Sequence, residues 1–146
     1  MRIPSKGRIA ICAMMELAIN QDDKPTTIAG LAESQDISIS YLEQLFSDLR
    51  SADLVVGVRG PGGGYRLGRE AESISIAQII NAIDDKALKT EKINQEYLPD
   101  MLWLDFATMA YDFLDNLTLA SQISRQNFSE VSSTPVSTRH AELVAF

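Results

Sequence analysis

The chain has 146 residues, 45% hydrophobic and 23% charged, enough for one small folded domain with a core and a short appendage. No apolar run reaches the roughly 18 residues of a transmembrane helix, and the apolar N-terminal stretch is interrupted at Glu16 with no small-residue cleavage site after it, so it reads as a helix of the fold rather than a signal. Cys12 is the single cysteine, which excludes an intrachain disulfide; nothing points to export, and a cytoplasmic location is expected.

The net charge of −7 by itself argues against a nucleic-acid partner. Its distribution changes that view. Residues 1–69 carry eight basic and eight acidic residues, and residues 70–146 carry five basic and twelve acidic ones. The N-terminal half is therefore neutral, and its local field decides what that surface attracts.

In chain order, residues 7–20 predict a largely buried helix, with Cys12 as a core thiol. A polar break ends at Pro25. Thr26 or Thr27 then caps a short helix, Ile28 to Ser34, with Ile28, Leu31 and Ala32 inward. After a turn at Gln35-Asp36-Ile37, Ser38 and Ser40 both qualify as caps of a third helix, and Ser40-x-x-Glu43 reads as a capping box. Leu42, Leu45, Phe46 and Leu49 define its inward face; Ser40, Tyr41, Gln44, Ser47 and Asp48 lie opposite. Leu54 to Val58 and Tyr65 to Leu67 predict two strands joined by a glycine turn. Ser73 to Ile83 predicts one more helix, with Ile76, Ile79, Ile80 and Ile83 on one face.

Residues 84–96 are polar, and a long helix is expected from Leu98 to about Ile123. Its apolar stripe, which includes Leu98, Leu102, Phe106, Met109, Phe113 and Leu117, is spaced by fours and threes, close to a heptad. Trp103, Leu104, Tyr111 and Leu114 lie off the stripe, so the helix is apolar on more than one side. A partner helix from a second copy of the chain is the simplest cover, and the stripe residues are the candidate dimer interface. Residues 124–146, rich in Ser and Thr, are read as a loose tail.

Four glycines and one proline fall within Gly60 to Gly64, with Arg59 before them. A nucleotide-binding P-loop needs a strand before the glycines, a helix after them and a Lys-Ser/Thr pair; here strands flank the turn and Arg69-Glu70 follows Gly68. A bare hairpin could use two residues. A longer glycine loop directly after a helix-turn-helix reads as a wing, with Arg59, Gly60, Pro61 and Gly62 facing DNA and the Arg59 guanidinium suited to a narrow minor groove. The third helix is then the recognition helix. Ser38, Ser40, Tyr41, Glu43 and Gln44 lie at the end that meets base edges: Gln pairs with adenine, Glu accepts from cytosine N4, and Ser bonds several bases. Gln44 and Tyr41 rank before Glu43, because Ser40 and Glu43 could serve as helix caps. Arg2, Lys6, Arg8, Arg50 and Arg66 are the candidate phosphate contacts, taken as a group.

Three motifs carry a family resemblance: M-R-x-x-S-K-G-R-x-A at 1–10, S-x-S-Y-L-E-Q-L-F at 38–46 and V-R-G-P-G-G-G-Y at 58–65. The chain resembles the iron–sulfur cluster regulator (IscR) family of bacterial winged-helix repressors and activators over residues 1–84, and again from Trp103 through F-L-D-N-L-T-L at 113–119. The resemblance implies a homodimer joined through the long helix, and DNA contacts by Ser40, Tyr41, Glu43, Gln44 and Arg59. It implies a mainly α (α+β) fold: a winged helix-turn-helix domain at 1–84, a linker at 85–96, a dimerisation helix at 97–123 and a tail at 124–146. Cluster-sensing members carry three cysteines and a histidine between the Ile76–Ile83 helix and the dimer helix. Here the segment reads ALKTEKINQEYLPDM, with no cysteine and no histidine; Asp100 stands where the family has its histidine. Fe–S clusters need thiolate ligands, so no cofactor is expected. His140, in the tail, is read as solvated.

The expected protein is a DNA-binding regulator of double-stranded DNA, homodimeric, without a membrane segment and without an enzyme's nucleophile–base pair. An unidentified small ligand or RNA polymerase are further partners considered. The competing reading is a protein-interaction module, which Asp48 and Asp53 near the recognition helix favour through their repulsion of phosphate.

Overall fold

Hydroxyl side chains set where four of the helices begin. In the computed structural model, which describes residues 5–22, 24–84 and 98–132, the order is α1 (Ser5–Ile19), α2 (Ile28–Gln35), α3 (Ile39–Ser51), β1 (Val55–Val58), β2 (Gly64–Leu67), a 3-10 turn (Ala71–Ser73), α4 (Ile76–Ile83), α5 (Leu98–Asn116) and α6 (Leu119–Ser132). Thr27, not Thr26, caps α2: its Oγ1 accepts from the Gly30 N–H at 3.0 Å. Asp36, in the left-handed conformation, ends α2, and the Ile37 N–H returns to the Ala32 carbonyl. That tight exit leaves Ser38 extended and makes it the cap of α3.

The core lies between α1, α3 and α4. Leu42, Leu45, Phe46 and Leu49 of α3 are fully buried, as are Ile79 and Ile80 of α4 and Ala10, Ala13, Met14 and Leu17 of α1. The inward faces expected for α3 and α4 are those observed. In α1 the small residues face inward, so Cys12 is exposed, not buried, and Ile19 is exposed as well. The two strands pair antiparallel with Val55 opposite Leu67 and Val58 opposite Gly64. Thr26 adds a bridge to Tyr65, so the hairpin gains a third, one-residue rung.

Two expected helices are divided. Ser73 to Ile83 is not one helix: Ile74 is extended, and Ser75 caps α4 in a capping box with Gln78. The long helix from Leu98 to Ile123 breaks at Leu117–Thr118. There the Ile76 N–H donates to the Leu117 carbonyl at 2.8 Å and the Leu119 N–H to the Ile74 carbonyl at 2.9 Å. Thr118 then caps α6, exchanging hydrogen bonds with Ser121. The apolar spacing continues through this break, so periodicity alone did not reveal it. Leu119, fully buried, holds α6 on the domain, and α6 runs to Ser132, past the start expected for the tail. The linker expected at 85–96 and the tail from residue 133 lie outside the described residues. Among the described residues, no helix is long and apolar enough to cross a membrane.

Candidate nucleic-acid interface

The Ser38 Oγ accepts from the Tyr41 N–H at 3.3 Å. Ser40 therefore lies inside the first turn of α3, and the Ser40–Glu43 capping box expected from the sequence is not formed; the helix starts two residues too early for it. With the capping done by Ser38, the side chains of Ser40, Tyr41, Glu43 and Gln44 stand exposed on the face opposite the buried leucines. Ile39, half exposed, and Ser47 share that outward surface; Ser47 lies there by helical spacing, whereas an apolar residue such as Ile39 carries no sequence signal for an outward place.

Gln44 is not a loose side chain. Its Nε2 donates to Asp48 Oδ1 at 3.4 Å, one helical turn on. Asp48 Oδ2 in turn lies 3.5 Å from Lys6 Nζ of α1. The same ammonium donates to the carbonyl of Ile83, the last residue of α4, at 3.0 Å. The glutamine–aspartate spacing of four is readable in the sequence as a helix-surface pair; the lysine, 42 positions away, is not.

The wing tip is a built turn. The Gly63 N–H donates to the Gly60 carbonyl at 2.9 Å, with Pro61 and Gly62 between them. Gly62 has φ +76°, so proline at the second position and a left-handed glycine at the third make a type II turn. A Cβ on Gly63 would fall 2.3 Å from the Val58 carbonyl oxygen. Arg59, Gly60, Pro61 and Gly62 are all exposed, with the arginine at the base of the tip.

Arg8 and Arg50 are exposed, on α1 and in the last turn of α3. Arg66 is half-buried, and its Nη1 donates to the Gln21 carbonyl. Arg2 lies outside the described residues. On α5, Leu98, Leu102, Phe106, Met109 and Phe113 are exposed, between 49% and 76%, while Leu114 is buried against the domain and Leu117 is half-buried. Trp103 stacks edge-on against Phe106, centroids 5.9 Å apart, on the same open surface. Among the described residues, no three His, Cys, Asp or Glu side chains are grouped to hold a metal ion.

A helix-turn-helix whose second helix exposes a polar strip, followed by a hairpin with an exposed arginine at its base, defines a winged-helix DNA-binding transcription regulator. The comparisons agree. The Rrf2 family, described as iron-dependent transcriptional regulator, matches residues 3–125, and this chain belongs to it. The chain is 43% identical over 138 residues to the HTH-type transcriptional regulator IscR of Yersinia enterocolitica, covering 90% of this chain and 84% of that one. The structure of CymR, the global cysteine regulator of B. subtilis, superimposes with a TM-score of 0.78 at 34% identity, covering 86% of this chain and 98% of that one. T. potens IscR superimposes with a TM-score of 0.77 at 29% identity over 96% of both chains. These relatives are named as regulators, not enzymes.

Proposed function

We propose that this regulator binds double-stranded DNA as a homodimer on a pseudo-palindromic site, and does so without an iron–sulfur cluster. The observation that carries the DNA reading is the exposed strip Ser40, Tyr41, Glu43 and Gln44, left free because Ser38 alone caps α3. These side chains meet base edges in the major groove. Arg59 enters the flanking minor groove, and Gly60, Pro61 and Gly62 let the wing approach the backbone closely. Arg8 and Arg50, with Arg2, supply phosphate contacts; Lys6 spends two of its donors inside the protein and keeps one for phosphate. Asp48, which counted against DNA while it looked like a free charge, is paired with Lys6 and Gln44.

The dimer reading rests on α5. Seven large apolar side chains of α5 are exposed, Met101 and Trp103 beside the five of the stripe, although the opposite side of that helix is already buried through Leu114. Two copies packed along Leu98, Leu102, Phe106, Met109, Phe113 and Leu117 would cover this face and set the half-site spacing.

The donor set does not fit an iron–sulfur cluster of the family's kind. The chain has one cysteine and one histidine, and Cys12 sits on α1, within the winged domain. One thiol per chain falls short of the thiolate set that holds such a cluster. Iron and sulfide analysis of anaerobically purified protein tests this, and about one cluster per chain overturns it.

To test DNA reading, the purified protein is mixed with fragmented bacterial genomic DNA at physiological salt and the retained fragments are sequenced, with Arg59→Ala in parallel. Enrichment of a palindromic site, weakened in the variant, supports the reading. Retention without sequence preference overturns it, and a preference unchanged by the variant removes Arg59 from the contact.

A further inference from the structure

We infer that Asp48 is a positioning residue for base recognition: braced by Lys6, it fixes which way the Gln44 amide faces, so discrimination at one base pair depends on two residues that need not touch that base. The inference rests on the proposed reading of DNA by α3 and deepens it.

The argument is one of donors and acceptors. A glutamine amide is nearly symmetric in shape but not in chemistry, since one end accepts and the other donates. A free Gln44 could present either end to a base edge. An ionised carboxylate only accepts, so Asp48 Oδ1, 3.4 Å away, must be met by the NH2 end of Gln44. The carbonyl Oε1 is thereby aimed away from Asp48. Pairing with adenine uses that carbonyl, for the N6 amino group, and one amide N–H, for N7. The amide carries two N–H groups, so one serves adenine and the other remains on Asp48. A flipped amide would lose the Asp48 bond and bring its oxygen against the carboxylate.

Asp48 can do this only if it is itself held. It is half-buried, on the flank of α3, and its second oxygen is 3.5 Å from Lys6 Nζ. The ammonium is anchored in turn on the Ile83 carbonyl at 3.0 Å, one of the carbonyls that a helix C-terminus leaves without an intrahelical partner. Three helices thus meet at one amide: α4 through its last carbonyl, α1 through Lys6 and α3 through Asp48 and Gln44. A single ion pair at 3.5 Å whose side chains are still 35% and 30% exposed adds little to stability, so its main effect is on orientation.

The test selects binding sites from a randomised duplex library with the full-length wild type and with Gln44→Ala, Asp48→Asn, Asp48→Glu and Lys6→Met, each checked for folding by circular dichroism. Gln44→Ala identifies the position that Gln44 reads. Asp48→Asn keeps the shape but offers either a donor or an acceptor, and is expected to reduce the adenine preference at that same position about threefold to tenfold, out of the roughly 5- to 150-fold that a bidentate contact supplies. Lys6→Met is expected to reduce it at the same position, and Asp48→Glu, still an acceptor only, to retain most of it. The preference read by Arg59 stays as in the wild type. If Asp48→Asn leaves that position unchanged, or raises affinity for all sequences alike as simple relief of charge repulsion would, the inference is overturned while the reading of α3 stands. If Gln44→Ala alters no position, α3 does not read bases through Gln44, and both fall together.

Discussion

The rings of Phe46, on the recognition helix, and Tyr65, on the second strand of the wing, pack with centroids 4.8 Å apart and planes tilted by 57°. Phe46 is fully buried and Tyr65 half-buried. The Tyr65 backbone is also tied to Thr26 by hydrogen bonds of 3.0 and 2.8 Å. One residue therefore joins the wing to both the recognition helix and the segment before α2. On the proposed reading, with α3 in the major groove and the wing in the minor groove, this contact holds the two at a fixed separation.

Tyr65→Ala removes that joint. It should destabilise the protein by about 1–3 kcal/mol, less than a fully buried aromatic because the ring is partly exposed. Urea unfolding measures the loss. At a denaturant-free temperature where the variant is fully folded, its affinity for the selected duplex should still be lower than that of the wild type.

The wing tip gives the reverse separation. Gly63→Ala would set a Cβ against the Val58 carbonyl, so the tip must change shape. The turn is exposed and holds no core residue, so the unfolding free energy should move by no more than about 1 kcal/mol. Duplex binding, followed by fluorescence anisotropy, should weaken clearly. Unchanged affinity would show that the tip does not approach DNA.

Arg59→Ala should weaken binding and flatten its dependence on salt. Loss of one phosphate or groove cation lowers the slope of log affinity against log salt by about 0.9. Titrations at several salt concentrations give the slope directly, and an unaltered slope would place Arg59 away from the DNA.

Phe106→Glu combined with Met109→Glu puts charge into the exposed face of α5 without touching Leu114. Light scattering after size exclusion should show a dimer for the wild type and a monomer for the variant. The variant should keep its helical circular dichroism and lose preference for a two-half-site duplex over a single half-site.

Ser75→Ala should cost about 1–2 kcal/mol. The side chain caps α4 through the Gln78 N–H and also donates to Asp115 Oδ1 at 2.8 Å, and it is among the few buried polar residues described. Thermal unfolding reads the loss. Because the same residue faces Thr118 across the bridge, the junction between α5 and α6 should loosen as well, which hydrogen exchange at Leu119 would report.

The local features of the DNA-binding half could be read from sequence. The apolar spacing of α3 and α4, the proline and glycines of the wing and the cap of α2 act over three or four residues, and such signals survive in a linear string. The exposed recognition strip was legible for the same reason: four positions that are not Leu42, Leu45, Phe46 or Leu49 must face the other way. The exposed apolar stripe of α5 was legible as an excess of apolar residues that a domain of this size cannot bury.

What escaped depends on residues far apart in the chain. The break at Leu117–Thr118 exists because Ile74 and Ile76 offer a carbonyl and an N–H there, some forty positions away, and the apolar pattern does not register a backbone partner. Cys12 looked like a core thiol among apolar neighbours, yet α1 turns its alanines inward and leaves Cys12 outside, a choice made by the helices packed against it. Asp48 reads in the sequence as a charge that repels phosphate, whereas the fold sets Lys6 beside it. Short-range chemistry is written in spacing; the pairing of distant groups is settled only when packing brings them within reach of one another, because a hydrogen bond or ion pair depends on ångströms of separation and not on positions along the chain.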